Sequence, residues 1–178
     1  MKKLLLISLL TVSVLYGYSY NDLLIKAQSS IFPKIMLLDK KLEEKLVEGT
    51  VVYSIVYEEE DRQTAQKIRN LITENYGKYL GGYPLRVELV PSGKLDQHIR
   101  TTALYLLNTP TGISHAGEVI KEKGIMTFAY DIDNLQYGIL LSLMVEKSTV
   151  LYLNRKGLQD HRVDFVEALY QIVRFTEN

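Results

Sequence analysis

The sequence predicts an α/β domain: one mixed sheet flanked by helices. Segments rich in β-branched, aromatic or alternating apolar residues are interleaved with segments whose apolar residues recur at steps of three and four. The length, 178 residues, corresponds to about one domain at ~100–200 residues each. A hydrophobic content of 47% with 24% charged residues is that of a globular protein, not of a disordered chain or a helical membrane bundle.

The chain opens on Lys2 and Lys3, a low-charge run over 4–15, and small residues at Gly17 and Ser19, the layout of a secretory signal peptide over residues 1–19 cut after Ser19. A membrane-spanning helix needs about 20 apolar residues. The run supplies 12, with Ser8, Thr11 and Ser13 among them, so an uncleaved anchor is the lesser alternative. Cleavage removes two lysines and no acids, leaving 159 residues with 19 basic and 21 acidic side chains.

In residues 20–38, Leu23, Leu24, Ala27, Ile31, Ile35 and Leu38 mark an amphipathic helix. Pro33 is expected to kink it or split it near Phe32, because proline cannot donate to the preceding turn. Residues 39–49 carry Lys40, Lys41, Glu43, Glu44 and Lys45 and are expected as a solvated turn and loop. Residues 50–57 (TVVYSIVY) form a buried strand, and Glu58, Glu59, Glu60 and Asp61 dress the start of a helix that aligns Ala65, Ile68, Leu71 and Ile72 and stops at Gly77. Strands follow over 84–90 and 102–107. Thr109, Pro110, Thr111 and Gly112 then open a short helix with Ile113, Ala116, Val119 and Ile120 on one face. Three more strands are expected over 124–130, 138–145 and 149–153. A closing helix is expected from Val163, Val166, Leu169, Ile172 and Val173, with Arg174 near its end.

Composition excludes several functions. Lysine plus arginine (21) balances aspartate plus glutamate (21), so no overall field recruits nucleic acid. With no cysteine there is no disulfide, thiol nucleophile, Cys-ligated metal or lipidated cysteine. No phosphate-binding glycine motif or serine elbow occurs, and His98, His115 and His161 are spaced without a metal-binding pattern and are expected at the surface. The residues name no catalytic group, metal site or cofactor.

Three binding candidates remain, each beside a plainer alternative. Thr109, Thr111, Gly112 and Ser114 sit where backbone amides at a helix start hold a small anion, though hydroxyl residues also simply cap helices. The acids 58–61 follow a strand where ligands gather in open α/β sheets, and could hold a cation or meet a basic partner; equally, they complement a helix dipole. Tyr76, Tyr79 and Tyr83 crowd one loop, as a partner-binding patch would or as half-buried tyrosines at element ends do. Leu24 and Ile31 on the first helix face either the core or a docking partner.

The segment Gly124-Ile-Met-Thr-Phe, the strand over 138–145, Val150-Leu-Tyr-Leu-Asn154 and a closing helix with Leu169, together with Phe32-Pro33 in the first helix, resemble the YfiR-like family of small periplasmic regulators over most of residues 22–175. The resemblance implies a periplasmic α/β domain like half of a periplasmic solute-binding protein. It further implies a non-enzymatic regulator that binds the periplasmic sensor domain of a membrane-bound signalling protein of the diguanylate cyclase type and represses or tunes it, acting on cyclic-di-GMP. A homodimer stays open as a further partner, and no membrane insertion is expected after signal cleavage. The absence of cysteine departs from members that respond to redox state. The rival reading is a periplasmic small-anion or solute-binding protein using the loop at Thr109.

Overall fold

The computed structural model describes residues 18–177. The lysines and apolar run of the expected signal peptide lie outside the described residues. The chain runs α1 (Asp22–Met36), β1 (Val51–Tyr57), α2 (Arg62–Tyr76), β2 (Tyr79–Leu80), β3 (Tyr83–Pro91), β4 (Ala103–Leu106), α3 (Pro110–Lys123), β5 (Met126–Ala129), β6 (Leu141–Val145), β7 (Thr149–Asn154), α4 (Gly157–Asp160), α5 (Glu167–Tyr170) and β8 (Val173–Thr176). These strands form one sheet in the order β2-β3-β1-β4-β5-β6-β7-β8. β3, β1, β4, β5 and β6 are parallel, β7 returns antiparallel to β6, and β8 lies parallel to β7.

Every residue of β1 is buried, because helices cover both faces of the central strands. Alternation along β1 sends Tyr53, Ile55 and Tyr57 into one core with Phe32 of α1 and Ile68 and Ile72 of α2. Val56 enters the other, beneath Ile113, Ala116, Val119 and Ile120 of α3. In the first core Phe32 stacks on Phe128 at 4.6 Å and meets Tyr105 edge-on at 5.4 Å. Truncating a ring buried this way costs about 3–5 kcal/mol.

Of the sequence-based expectations, the split at Pro33 and three others fail. Pro33 does not split α1, which continues to Met36. Proline lies in the last turn, where it forfeits a single intrahelical bond, and its ring is buried against the core. The two-residue strand β2 was not expected; it caps the edge of β3 through Tyr79 and Leu80.

The closing helix is replaced by two helical turns and a strand. Val166 donates its backbone N–H to the Leu38 carbonyl, and β8 pairs with β7, burying part of Val173 and Phe175 while Ile172 stays outside. Successive turns, not one helix, produce the three-residue spacing of the apolar side chains. Pairing with the open edge of β7 satisfies backbone groups that a helix there would leave bare.

Nor is the loop after α1 simply solvated. The Asp39 carboxylate is fully buried, accepts from the Lys41 and Asp164 N–H groups, and pairs with Lys45 Nζ at 2.7 Å. Lys45 also donates to the His161 carbonyl. Burial lowers the Lys45 ammonium from its ordinary pKa, against the opposing pull of Asp39. This clasp ties the connection after α1 to the segment before α5.

Candidate functional site

From β1 the chain crosses by α2 to β3 on one side, then places β4 on the other side of β1, so the strand order reverses at the β1/β4 boundary. Ligands in open α/β sheets collect at that reversal, beyond the carboxyl ends of the strands. Two of the predicted candidate loops meet there. Glu58, just after β1, accepts from Thr109 Oγ1 and from Ser92 Oγ, each at 2.6 Å. Thr109 caps α3 by accepting from the Gly112 N–H at 2.9 Å, and His115 Nδ1 reaches the Ser92 carbonyl at 3.2 Å.

Burial opposes the charge on Glu58. The hydroxyls of Ser92, Thr109 and Thr111, with His115 nearby, outweigh it and hold the carboxyl below its ordinary pKa. Gly112 is required here: a Cβ would lie 2.6 Å from Thr109 Cγ2 and 2.9 Å from Val56 Cγ1. The start of α3 is therefore pressed against β1 and already faces a carboxylate of its own chain.

Beside it, Tyr20 Oη donates to Asp61 at 2.6 Å and accepts from the Asn108 N–H at 3.1 Å. Its ring lies 4.7 Å from that of Tyr130, whose hydroxyl accepts from the Asn21 N–H. Burial raises the Asp61 pKa, with Glu60 and Glu58 adding, against the Tyr20 bond. The other acids point elsewhere: Glu59 pairs with Arg62 at 2.8 Å and Glu60 is exposed. Among the described residues, no group of three or more His, Cys, Asp or Glu side chains is placed to hold a metal ion.

Thr111 and Ser114 are exposed on α3. Ser114 lines a cleft of about 580 Å³ between α3 and the 3-10 turn Ile132–Tyr137. Asn108, Pro110, Ile113 and Gly117 complete the α3 side, and Asn134 and Tyr137 the other. Asn134 is only 6% exposed and its Nδ2 has no hydrogen-bond partner. Sequence reasoning missed Asn134, since nothing along the chain separates it from an ordinary turn asparagine.

The three loop tyrosines do not act as one patch. Tyr76 donates to the Ser30 carbonyl and ties α2 to α1; Tyr83 donates to Glu43 at 2.7 Å; Tyr79 alone projects, 63% exposed. Leu24 and Ile31 are half-buried against the first core. Ile31 also lines an apolar groove of about 320 Å³ with Ile35, Leu38, Leu143, Leu169 and Ile172.

His98 is exposed and His115 half-buried, but His161 is fully buried, contrary to the surface position expected. Its Nδ1 lies 2.7 Å from the Gly157 carbonyl and its Nε2 2.7 Å from Thr127 Oγ1. Burial lowers its pKa to about 4.

No family model matches this chain, and no curated protein does. Solved structures do. A conserved domain protein from Vibrio cholerae is similar over 77% of this chain, at 13% identity and a TM-score of 0.54. An ABC domain in complex with L-Trp from Streptococcus pneumonia is similar over 80%, at 10% identity and a TM-score of 0.52. This chain spans 58% and 60% of those two chains. Identity this low carries fold alone. No described helix is long and apolar enough to cross a membrane. The chain is an α/β protein, and a largely parallel sheet flanked by helices is what it has in common with these structures.

Proposed function

We propose that the protein is an exported, non-enzymatic regulator that binds the periplasmic sensor domain of a membrane signalling protein of the diguanylate cyclase type and represses or tunes it, as the resemblance to YfiR-like regulators implies. The observation that carries this reading is the groove between α1 and the C-terminal segment, where Ile31 and Leu38 are half-buried over a floor of buried Ile35 and Leu169 and Ile172 stands 69% exposed. Large apolar side chains around a concave strip are the composition of an interface core. Regulation then follows from a difference in affinity for two states of the sensor.

The test is crosslinking capture from membranes, comparing the protein with its Ile172→Asp variant. A membrane cyclase captured by the parent and lost with Ile172→Asp, at unchanged thermal stability, is the expected result. Equal capture by both, or unchanged cyclic-di-GMP after deletion of the gene, refutes the proposal.

The small-anion alternative is disfavoured by Glu58. A phosphate or carboxylate arriving at the start of α3 meets a carboxylate already bonded to Thr109 and Ser92. Phosphate, sulfate and acetate are accordingly expected to leave the melting temperature unchanged.

A further inference from the structure

We infer that the cleft between α3 and the turn Ile132–Tyr137 is a binding site for an uncharged small molecule bearing a heterocyclic ring, held by the Asn134 carboxamide and stacked on Tyr137. The inference goes beyond the regulator reading and does not depend on it.

The cleft lies beyond the carboxyl ends of the adjacent parallel strands β4 and β5, one strand over from the reversal that Glu58 and Tyr20 fill with the chain's own groups. Its volume, about 580 Å³, falls within the range of small-molecule pockets.

Asn134 supplies the second observation. Buried donors in folded proteins are nearly always paired, and an apolar side chain of the same shape would remove the cost of an unpaired one. Asn134 Nδ2 is nonetheless buried without a partner in a residue that lines the cleft. A rotation of the Asn134 carboxamide that turns this donor out of its buried position toward the cleft would let a ligand's acceptor complete the hydrogen bond that the chain leaves unmade.

The lining sets the chemical class. No charged side chain contributes to it; its polar groups are the carboxamides of Asn108 and Asn134 and the hydroxyls of Ser114 and Tyr137. Neutral groups of this kind do not compensate a ligand's charge. A carboxamide offers a donor and an acceptor side by side and matches the same pair on the edge of a heterocycle, as asparagine matches adenine. Tyr137, 60% exposed, offers a ring face for stacking, and Gly117 leaves the helix surface bare.

Adenosine, a neutral nucleoside, is the probe. Titrated into the purified protein at millimolar concentration, it is expected to raise the melting temperature saturably and to shift the amide resonances of Ile113, Asn134 and Tyr137. Asn134→Leu is expected to melt higher than the parent when free and to lose the adenosine response. Tyr137→Ala alters an exposed position and is expected to fold normally while weakening binding about fivefold or more. The inference is overturned if adenosine gives no saturable response, if Asn134→Leu binds as the parent does, or if glucose or phosphate elicits the response and adenosine does not.

Discussion

Lowering the pH is expected to destabilise this protein through the buried side chain of His161. The Gly157 carbonyl can only accept, so Nδ1 carries the proton of the neutral ring and Nε2 accepts from the Thr127 hydroxyl. Thr127 Oγ1 also accepts from the Leu140 N–H, so its own proton is directed at Nε2. A second proton on the imidazole would put donor against donor in a fully buried site. Burial is the main cause of the lowered value of about 4, with Lys45 adding and the Gly157 bond and Asp160 opposing.

Because the folded pKa lies below the unfolded value of about 6.5, this contribution to stability is complete above pH 6.5. It falls away as the unfolded state takes up protons, until the folded state does so near pH 4. At about 1.4 kcal/mol per unit the full loss is about 3 kcal/mol, of which about 2 kcal/mol has gone by pH 5. Urea unfolding at pH 7 and pH 5 measures it, with His161→Gln as reference. The variant is expected to be weaker at pH 7 but to lack most of the further loss on acidification. A parent and a variant that lose equal stability between pH 7 and pH 5, or a His161 resonance titrating near 6.5, would refute the argument.

Three further outcomes are expected. Glu58→Gln sets an amide N–H₂ against one of two hydroxyl donors and is expected to cost about 1–3 kcal/mol in denaturant unfolding at neutral pH. The Glu58 pKa is lowered, so its contribution is present above the ordinary carboxylate range and lost as pH falls through the lowered value; parent and variant should converge in acid. Gly112→Ala drives a methyl into Thr109 and Val56 and is expected to lower stability by about 1–3 kcal/mol, seen as a fall in Tm. Lys45→Met leaves the buried Asp39 carboxylate with backbone donors only, an expected loss of about 3–5 kcal/mol by urea unfolding.

What the sequence made legible was whatever one local signal decides. β1 is fully buried and its run TVVYSIVY is continuous; α3 opens at Thr109, visible as a hydroxyl, whereas Gly124, expected as the start of a strand, is the left-handed cap of α3 at φ +65°. The C-terminal segment was misread because Val163, Val166, Leu169 and Ile172 imitate a helical stripe, while the open edge of β7, which no local pattern displays, draws residues 173–176 into the sheet. The split expected near Pro33 does not occur for the opposite reason: its local penalty is real, but its position in the last turn and its burial outweigh it.

For the site, the position of the Thr109 loop beyond a strand followed from the alternation of strands and helices. Its contact with Glu58, 51 residues away, follows from strand order, which one sequence does not reveal. The buried state of Asn134, Asp39 and His161 is likewise a product of packing between distant segments.

The clasp of Asp39, Lys45, His161 and Asp164 joins positions 116 to 125 residues apart. Contacts of such separation close a large loop and slow the search for the native state, placing the domain among the slower folders of its size. A chain emerging from the ribosome can build α1, β1 and α2 early, yet it cannot complete the hydrogen bonds of Asp39 and Lys45 or cover the edge of β7 until residues 161–176 are free. Final assembly is thus a late event, and the incomplete chain presents an open strand edge beside apolar surface, the condition under which association with another unfinished copy competes with folding.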